Sequence, residues 1–150
     1  MVNNSEEIIK NIQIARENHK KGNIFQANEI YRKLISQKVF TYELLMSYGL
    51  FCKEINNFKI AKNLFILSIK EYPLKINSYI LLAEILRTEN NVKDALKTLY
   101  EAKKIEKLNP DIDYNLSILY KSIKSFREAI LSINSAINLQ PKNQTYQILK

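Results

Sequence analysis

Alanine recurs at a fixed interval along this chain. Ala27, Ala61, Ala95 and Ala129 are separated by steps of 34 residues with no slippage. Other rows keep the same step. Twelve positions before each alanine stands a small residue, Ala15, Gly49, Ala83 or Ser117, and four positions after it a large apolar one, Tyr31, Phe65, Leu99 or Ile133. A fourth row, Leu34, Ser68, Ala102 and Ala136, is mostly small, and a fifth, Ile24, Phe58, Val92 and Phe126, is apolar. Small residues on two neighbouring segments, with bulky ones a turn away, let two antiparallel helices approach closely and interlock. Each repeat therefore reads as a helix pair.

Punctuation along the chain agrees. Asn23, Asn57, Asn91 and Ser125 open the second segments and are all good N-caps. Gln26, Asp94 and Glu128 stand three residues on, where a capping box places an acceptor, and Ile60 breaks the pattern. Pro73 and Pro141 fall just past second helices, and Pro110 suits a helix start. Helices are predicted over roughly 5–21, 24–37, 42–55, 58–71, 76–89, 92–106, 110–123 and 126–139, with a short ninth over about 143–150.

A helix–turn–helix unit of this period resembles the tetratricopeptide repeat family. The second unit carries most of the likeness. Leu45, Tyr48, Gly49 and Cys52 stand where the family has Trp-x2-Leu-Gly-x2-Tyr, followed by Ala61, Phe65 and Pro73. The fourth unit keeps Leu116, Tyr120, Ala129 and Pro141, whereas Asn11, Asn18, Val39 and Lys107 depart from the pattern. The resemblance implies an all-α right-handed solenoid within one domain, residues 1–150, with repeats at about 8–41, 42–75, 76–109 and 110–143 and a partial capping helix over 143–150. It also implies that the first helices line a concave side and that the chain is a scaffold for protein partners.

Composition narrows the class. With two Gly, three Pro and 46% apolar residues in 150, the chain is a packed, helix-rich protein. The single cysteine, Cys52, excludes an internal disulfide framework and a cysteine zinc cluster. The opening "MVNNSEEIIK" has acids where a secretion signal would carry bases, so a cytoplasmic location is expected. No apolar run approaches the roughly 20 residues that span a bilayer. The net charge of +8 comes from scattered bases with acids close by, a solvated surface rather than a nucleic-acid site.

Catalysis needs converging groups, and few are present. His19 is the one histidine and reads as a helix-end residue, and Cys52 reads as a small buried hydrophobe. No phosphate loop, metal cluster or cofactor motif occurs, so neither an enzyme nor a cofactor is expected.

The face expected to meet a ligand carries Ile12 and Arg16; Met46, Leu50 and Lys53; Ile80, Glu84 and Arg87; and Tyr114, Ile118 and Lys121. One known mode of the family clamps a terminal carboxylate with Lys, Arg and Asn. Ile12, Arg16, Ser47, Asn77 and Leu81 stand in those places here, so that clamp is missing and an apolar or acidic-apolar peptide segment is the expected partner. The opposing reading is a groove filled by tight curvature or by the chain's own tail. The row His19, Lys53, Arg87 and Lys121 complements helix dipoles and can steer an acidic ligand. Ile130, Ile137 and Leu139 need cover and suggest self-association through the last repeat. Because arrays of this family often precede transferase domains, a recruiting module of a larger transferase is the alternative reading.

Overall fold

The computed structural model describes residues 4–148; Met1 to Asn3, Leu149 and Lys150 lie outside the described residues. Among the described residues every regular element is a helix. The order is α1 (Asn4–Lys20), α2 (Ile24–Ser36), α3 (Tyr42–Glu54), α4 (Phe58–Glu71), α5 (Ile76–Thr88), α6 (Val92–Ile105), α7 (Pro110–Ser122), α8 (Phe126–Leu139) and α9 (Gln144–Gln147). Of the predicted ninth helix, Gln144–Gln147 are helical and Ile148 follows in a helical conformation, while positions 149 and 150 of that prediction lie outside the described residues. Two compact units divide the chain, Met1–Pro73 and Leu74–Lys150.

In the first unit α1 packs on α2 and α3, and α3 on α4. The core is built from the repeating rows: Ala15, Ala27, Tyr31, Leu34, Gly49, Ala61, Phe65 and Ser68 are all buried. Gly49 shows why the small row must be small. A Cβ added there would stand 2.5 Å from Cε1 of Phe65, so α3 can sit on α4 only without one. Tyr31, Tyr48 and Phe51 fill the space between α2 and α3, with Tyr31 stacked on Tyr48 at 5.0 Å between ring centroids. The Tyr72 hydroxyl donates to the Phe40 carbonyl at 2.8 Å and ties the end of α4 to the α2–α3 connection.

In the second unit α5 packs on α6, α7 lies against both, and α8 lies against α7. Ala83, Ala95, Leu99, Ala102, Ser117, Ala129, Ile133 and Ala136 repeat the buried rows. One member of this core is charged. Asp113 of α7, fully buried, accepts from the ammonium of Lys103 on α6 and from the Ser135 hydroxyl on α8 at 2.6 Å, so one carboxylate joins three helices. Asn109 caps α7 by accepting from the amides of Asp111 and Ile112 at 3.0 and 3.2 Å, with Pro110 following as the first helical residue.

The turn inside each pair is the same structure four times. Gly22, Asn56, Asn90 and Lys124 are left-handed, with φ of 80°, 60°, 58° and 62°. Each donates its amide to the carbonyl three residues back, and the next residue donates five back: Asn23 to Asn18, Asn57 to Cys52, Asn91 to Leu86 and Ser125 to Tyr120, at 2.7 to 2.9 Å. This is a Schellman closure of the first helix, and its last residue is also the N-cap of the second.

That double duty corrects the expected capping boxes. A box requires the N-cap amide as donor, and here that amide already closes the preceding helix. Asp94 instead accepts from the Asn91 side chain at 2.7 Å. Asn57 and Asn91 do cap their helices, bonding the amides of Ile60 and Asp94, whereas Asn23 and Ser125 make no side-chain cap. Lys124 is the costly member of the left-handed row, since a side chain there is strained by about 1–2 kcal/mol. Lys124→Gly should therefore raise stability by about 0.5–1 kcal/mol, after allowance for the greater freedom of glycine in the unfolded chain, as read by urea unfolding.

Candidate functional site

The expected ligand-facing residues fall on four stripes, one per first helix, at i and i+4 on α1 and at i, i+4 and i+7 on α3, α5 and α7, which places each stripe on one helical face. In the first unit, Ile12 on α1 is fully buried and belongs to the core, which removes it from the candidate surface. Arg16 is exposed but oriented: one guanidinium nitrogen donates to Oγ of Ser47 at 2.6 Å and another lies 3.3 Å from the Glu43 carboxylate on α3. His19, half-buried, stands edge-on to Phe51 with its Nδ1 3.4 Å from the Glu54 carboxylate. On α3, Met46 and Lys53 are half-buried and Leu50 is exposed. The Met46 sulfur accepts weakly from the Ser68 hydroxyl of α4 at 3.9 Å.

In the second unit, Ile80 is buried and is likewise corrected from ligand-facing to core. The physical reason is shared with Ile12: the periodicity places a residue on a helical face but cannot separate the open half of a wide apolar stripe from the half that a neighbour covers. Glu84 is half-buried and Arg87 exposed on α5, and Ile118 is half-buried and Lys121 exposed on α7. Tyr114 has a different neighbour from the one expected. Its ring packs against Tyr146 of α9 at 5.2 Å, and the Tyr146 hydroxyl donates to the Asp111 carboxylate at 2.5 Å. Burial together with that carboxylate raises the Tyr146 phenol well above its ordinary value and keeps it a donor. The chain's own tail therefore occupies part of the α7 face.

The tail also settles which residues of α8 are covered. Ile137 packs with Tyr114 against the Ile133, Ala136 and Tyr146 cluster, whereas Ile130 and Leu139 remain exposed. Asp113 and Tyr146, the two side chains that organise this unit, escaped the sequence reading. A lone acid inside an apolar helix face was the available signal for the first.

Cys52 is fully buried, and burial pushes its thiol up to about 11, so the sulfur is protonated at neutral pH and is not a nucleophile. Among the described residues no group of three or more His, Cys, Asp or Glu side chains is placed to hold a metal ion. No described helix is long and apolar enough to cross a membrane.

Helix pairs of this length, closed by small residues, define the tetratricopeptide-repeat fold, and solved structures of that class match the chain. MamA superposes with a TM-score of 0.79 at 19% identity, over 91% of this chain and 75% of that one. MamA from Desulfovibrio magneticus RS-1, residue 41 to its end, gives a TM-score of 0.77 at 16% identity, covering 93% and 78%. The anaphase-promoting hetero-tetramer Cut9–Hcn1 gives 0.77 at 17% identity, covering 95% of this chain and 29% of that one. At these identities the likeness is one of fold. No family model matches the sequence, and no curated protein matches it.

Proposed function

We propose that this chain is a non-catalytic protein-interaction scaffold that holds a peptide segment of a partner on the open faces of its first helices. The observation that carries the reading is the α3 stripe. Met46, Leu50 and Lys53 lie on one face with Leu50 exposed, an apolar pair ending in a cation, and α7 repeats the pattern with Ile118 and Lys121. Such a stripe suits a segment with apolar anchors and an acidic residue near them. The tetratricopeptide fold supports the reading at the level of class, because function in such folds resides in the side chains of one face.

A peptide-library selection against the chain tests it, with Met46→Lys/Leu50→Lys as the comparison. An apolar or acidic-apolar motif should enrich, and a peptide carrying it should bind the double variant at least about tenfold more weakly, the equivalent of about 1.4 kcal/mol. A selection that yields no motif, or one retained by the double variant, overturns the reading.

A further inference from the structure

We propose that the cleft between α2 and α4 is a second docking site, and that it takes a short helical segment of a partner protein with apolar side chains along one face and carboxylates beside them. Both helices pack on α3, and between them a cavity of about 350 Å³ opens. Ile35 lines it from α2, Ile60, Leu64 and Leu67 line it from α4, and Tyr48 of α3 lies at its floor. Tyr48 stands two residues from both Met46 and Leu50, about 200° around the helix, so the cleft and the candidate stripe lie on opposite sides of α3.

The repeat supplies its own comparison. Two repeats later, in the second unit, Ile35, Ile60, Leu64 and Leu67 are replaced by Lys103, Glu128, Ser132 and Ser135. Lys103 and Ser135 meet there on the Asp113 carboxylate, in the place that Leu45 holds in the first unit. The polar members are exchanged the other way, Arg32 and Asn63 for Tyr100 and Leu131. These helices therefore fold with either dressing, and the fold alone does not call for an apolar cleft. In the first unit the apolar set is partly open to solvent: Ile60 is 37% exposed, and Ile35 and Leu67 are half-buried. Along α4, Ile60, Leu64 and Leu67 recur at i, i+4 and i+7, an edge roughly 10 Å long that matches two turns of a helix laid beside it.

Charge selects the chemistry of the occupant. Arg32 is the one charged residue lining the cleft. Its guanidinium lies 3.3 Å from the Glu29 carboxylate in an exposed i, i+3 pair, a weak contact that a carboxylate from a ligand can replace. Lys33 follows it on α2 and Lys59 precedes Ile60 on α4, whereas Glu29 is the one acid of α2 and Glu71, at the far end, the one acid of α4. A segment with acids beside its apolar anchors is drawn to this cleft, and a basic one is repelled.

The test uses the full chain and a fluorescent helical probe with leucines at i, i+4 and i+7 and a glutamate in each terminal turn. A second probe carries lysines in place of those glutamates. Saturable binding of the glutamate probe is expected in the micromolar range. Ile60→Glu should weaken it by about tenfold or more. The change sets an acid in the first turn of α4, where Glu128 stands in α8, so the melting curve should stay unchanged. Arg32→Glu, on the open surface, should reverse the preference between the two probes, and Met46→Lys/Leu50→Lys should leave binding intact. Absence of saturable binding, or binding indifferent to Ile60→Glu and Arg32→Glu, overturns the proposal. Binding lost only in the Met46/Leu50 variant returns the probe to the first-helix faces and also overturns it. A sedimentation mass that rises with concentration and falls back in Ile60→Glu assigns the cleft to a second copy of the chain and overturns the choice of partner.

Discussion

Phe65→Ala should destabilise the chain by about 3–5 kcal/mol, a large part of the 5–15 kcal/mol that holds a domain folded. The ring is fully buried between α3 and α4, and the neighbouring backbone at Gly49 approaches it as far as contact allows. The reciprocal substitution sets two effects against each other. Glycine in a helix interior costs about 1 kcal/mol relative to alanine, so propensity alone makes Gly49→Ala stabilising. The new methyl would stand 2.5 and 2.9 Å from two atoms of the buried ring, and overpacking of that kind costs about 1–3 kcal/mol. The clash should win. Urea unfolding is expected to show a net loss for Gly49→Ala and, in Gly49→Ala/Phe65→Leu, a loss smaller than the sum of the single changes. A gain near 1 kcal/mol in Gly49→Ala would mean that the two helices do not pack at this distance.

The folded chain should also fail in alkali, well before its backbone chemistry does. Burial pushes Cys52 up to about 11 from an ordinary 9 and Tyr31 up to about 12 from 10, the latter against a lowering influence of Arg16. Tyr48 rises to about 12 for the same reason, and Tyr120 to about 12 through burial and its bond to Tyr100. Each group is an acid whose folded pKa lies above the unfolded one. Stability from their neutral forms is therefore complete below pH 9 and is lost progressively as pH climbs through the folded values, because the unfolded chain releases these protons first. A second effect has the opposite sign: lysines lose charge over the same range and relieve the repulsion of a chain at +8. Ionisation inside the core should dominate, lowering the melting temperature by about 10 °C or more between pH 9 and 12. Tyr31→Phe/Tyr48→Phe should flatten that slope. A melting temperature constant to pH 12 would show that these side chains reach solvent.

The helix pairs were legible because the repeat supplies four readings of one pattern. Ala27, Ala61, Ala95 and Ala129 agree where any one alone would be ambiguous, and the helices start within a residue or two of the predicted positions. The left-handed row was also written, as Gly22, Asn56 and Asn90, but Lys124 hides its fourth member because lysine does not advertise that conformation. Capping boxes misled for a physical reason: local pattern shows which side chains can reach an amide, not whether the amide is already committed to the helix before it. Of the proposed ligand-facing residues, Arg16, Leu50, Arg87 and Lys121 are exposed, whereas Ile12 and Ile80 are core. Their type is right for either place, and only packing tells them apart. A helix of four residues shows no period of its own, but Tyr146 stands in the 34-residue row of Leu44, Ser78 and Ile112, all buried, and that row was the signal that could have marked it as core.

The repeated turn has a consequence for how the chain can change length. Residues 21–23, 55–57, 89–91 and 123–125 each connect two helices with three positions, and in each the last is committed twice, to the helix behind and to the helix ahead. Nothing there can be deleted, and an added residue would break both closures and rotate the second helix off its partner. The connections between pairs, at 37–41, 72–75, 106–109 and 140–143, contain no such shared residue and already differ by one position among themselves. Insertions, epitope tags and gene-level duplications should be tolerated at those joints alone, so that the protein grows or shrinks by whole hairpins.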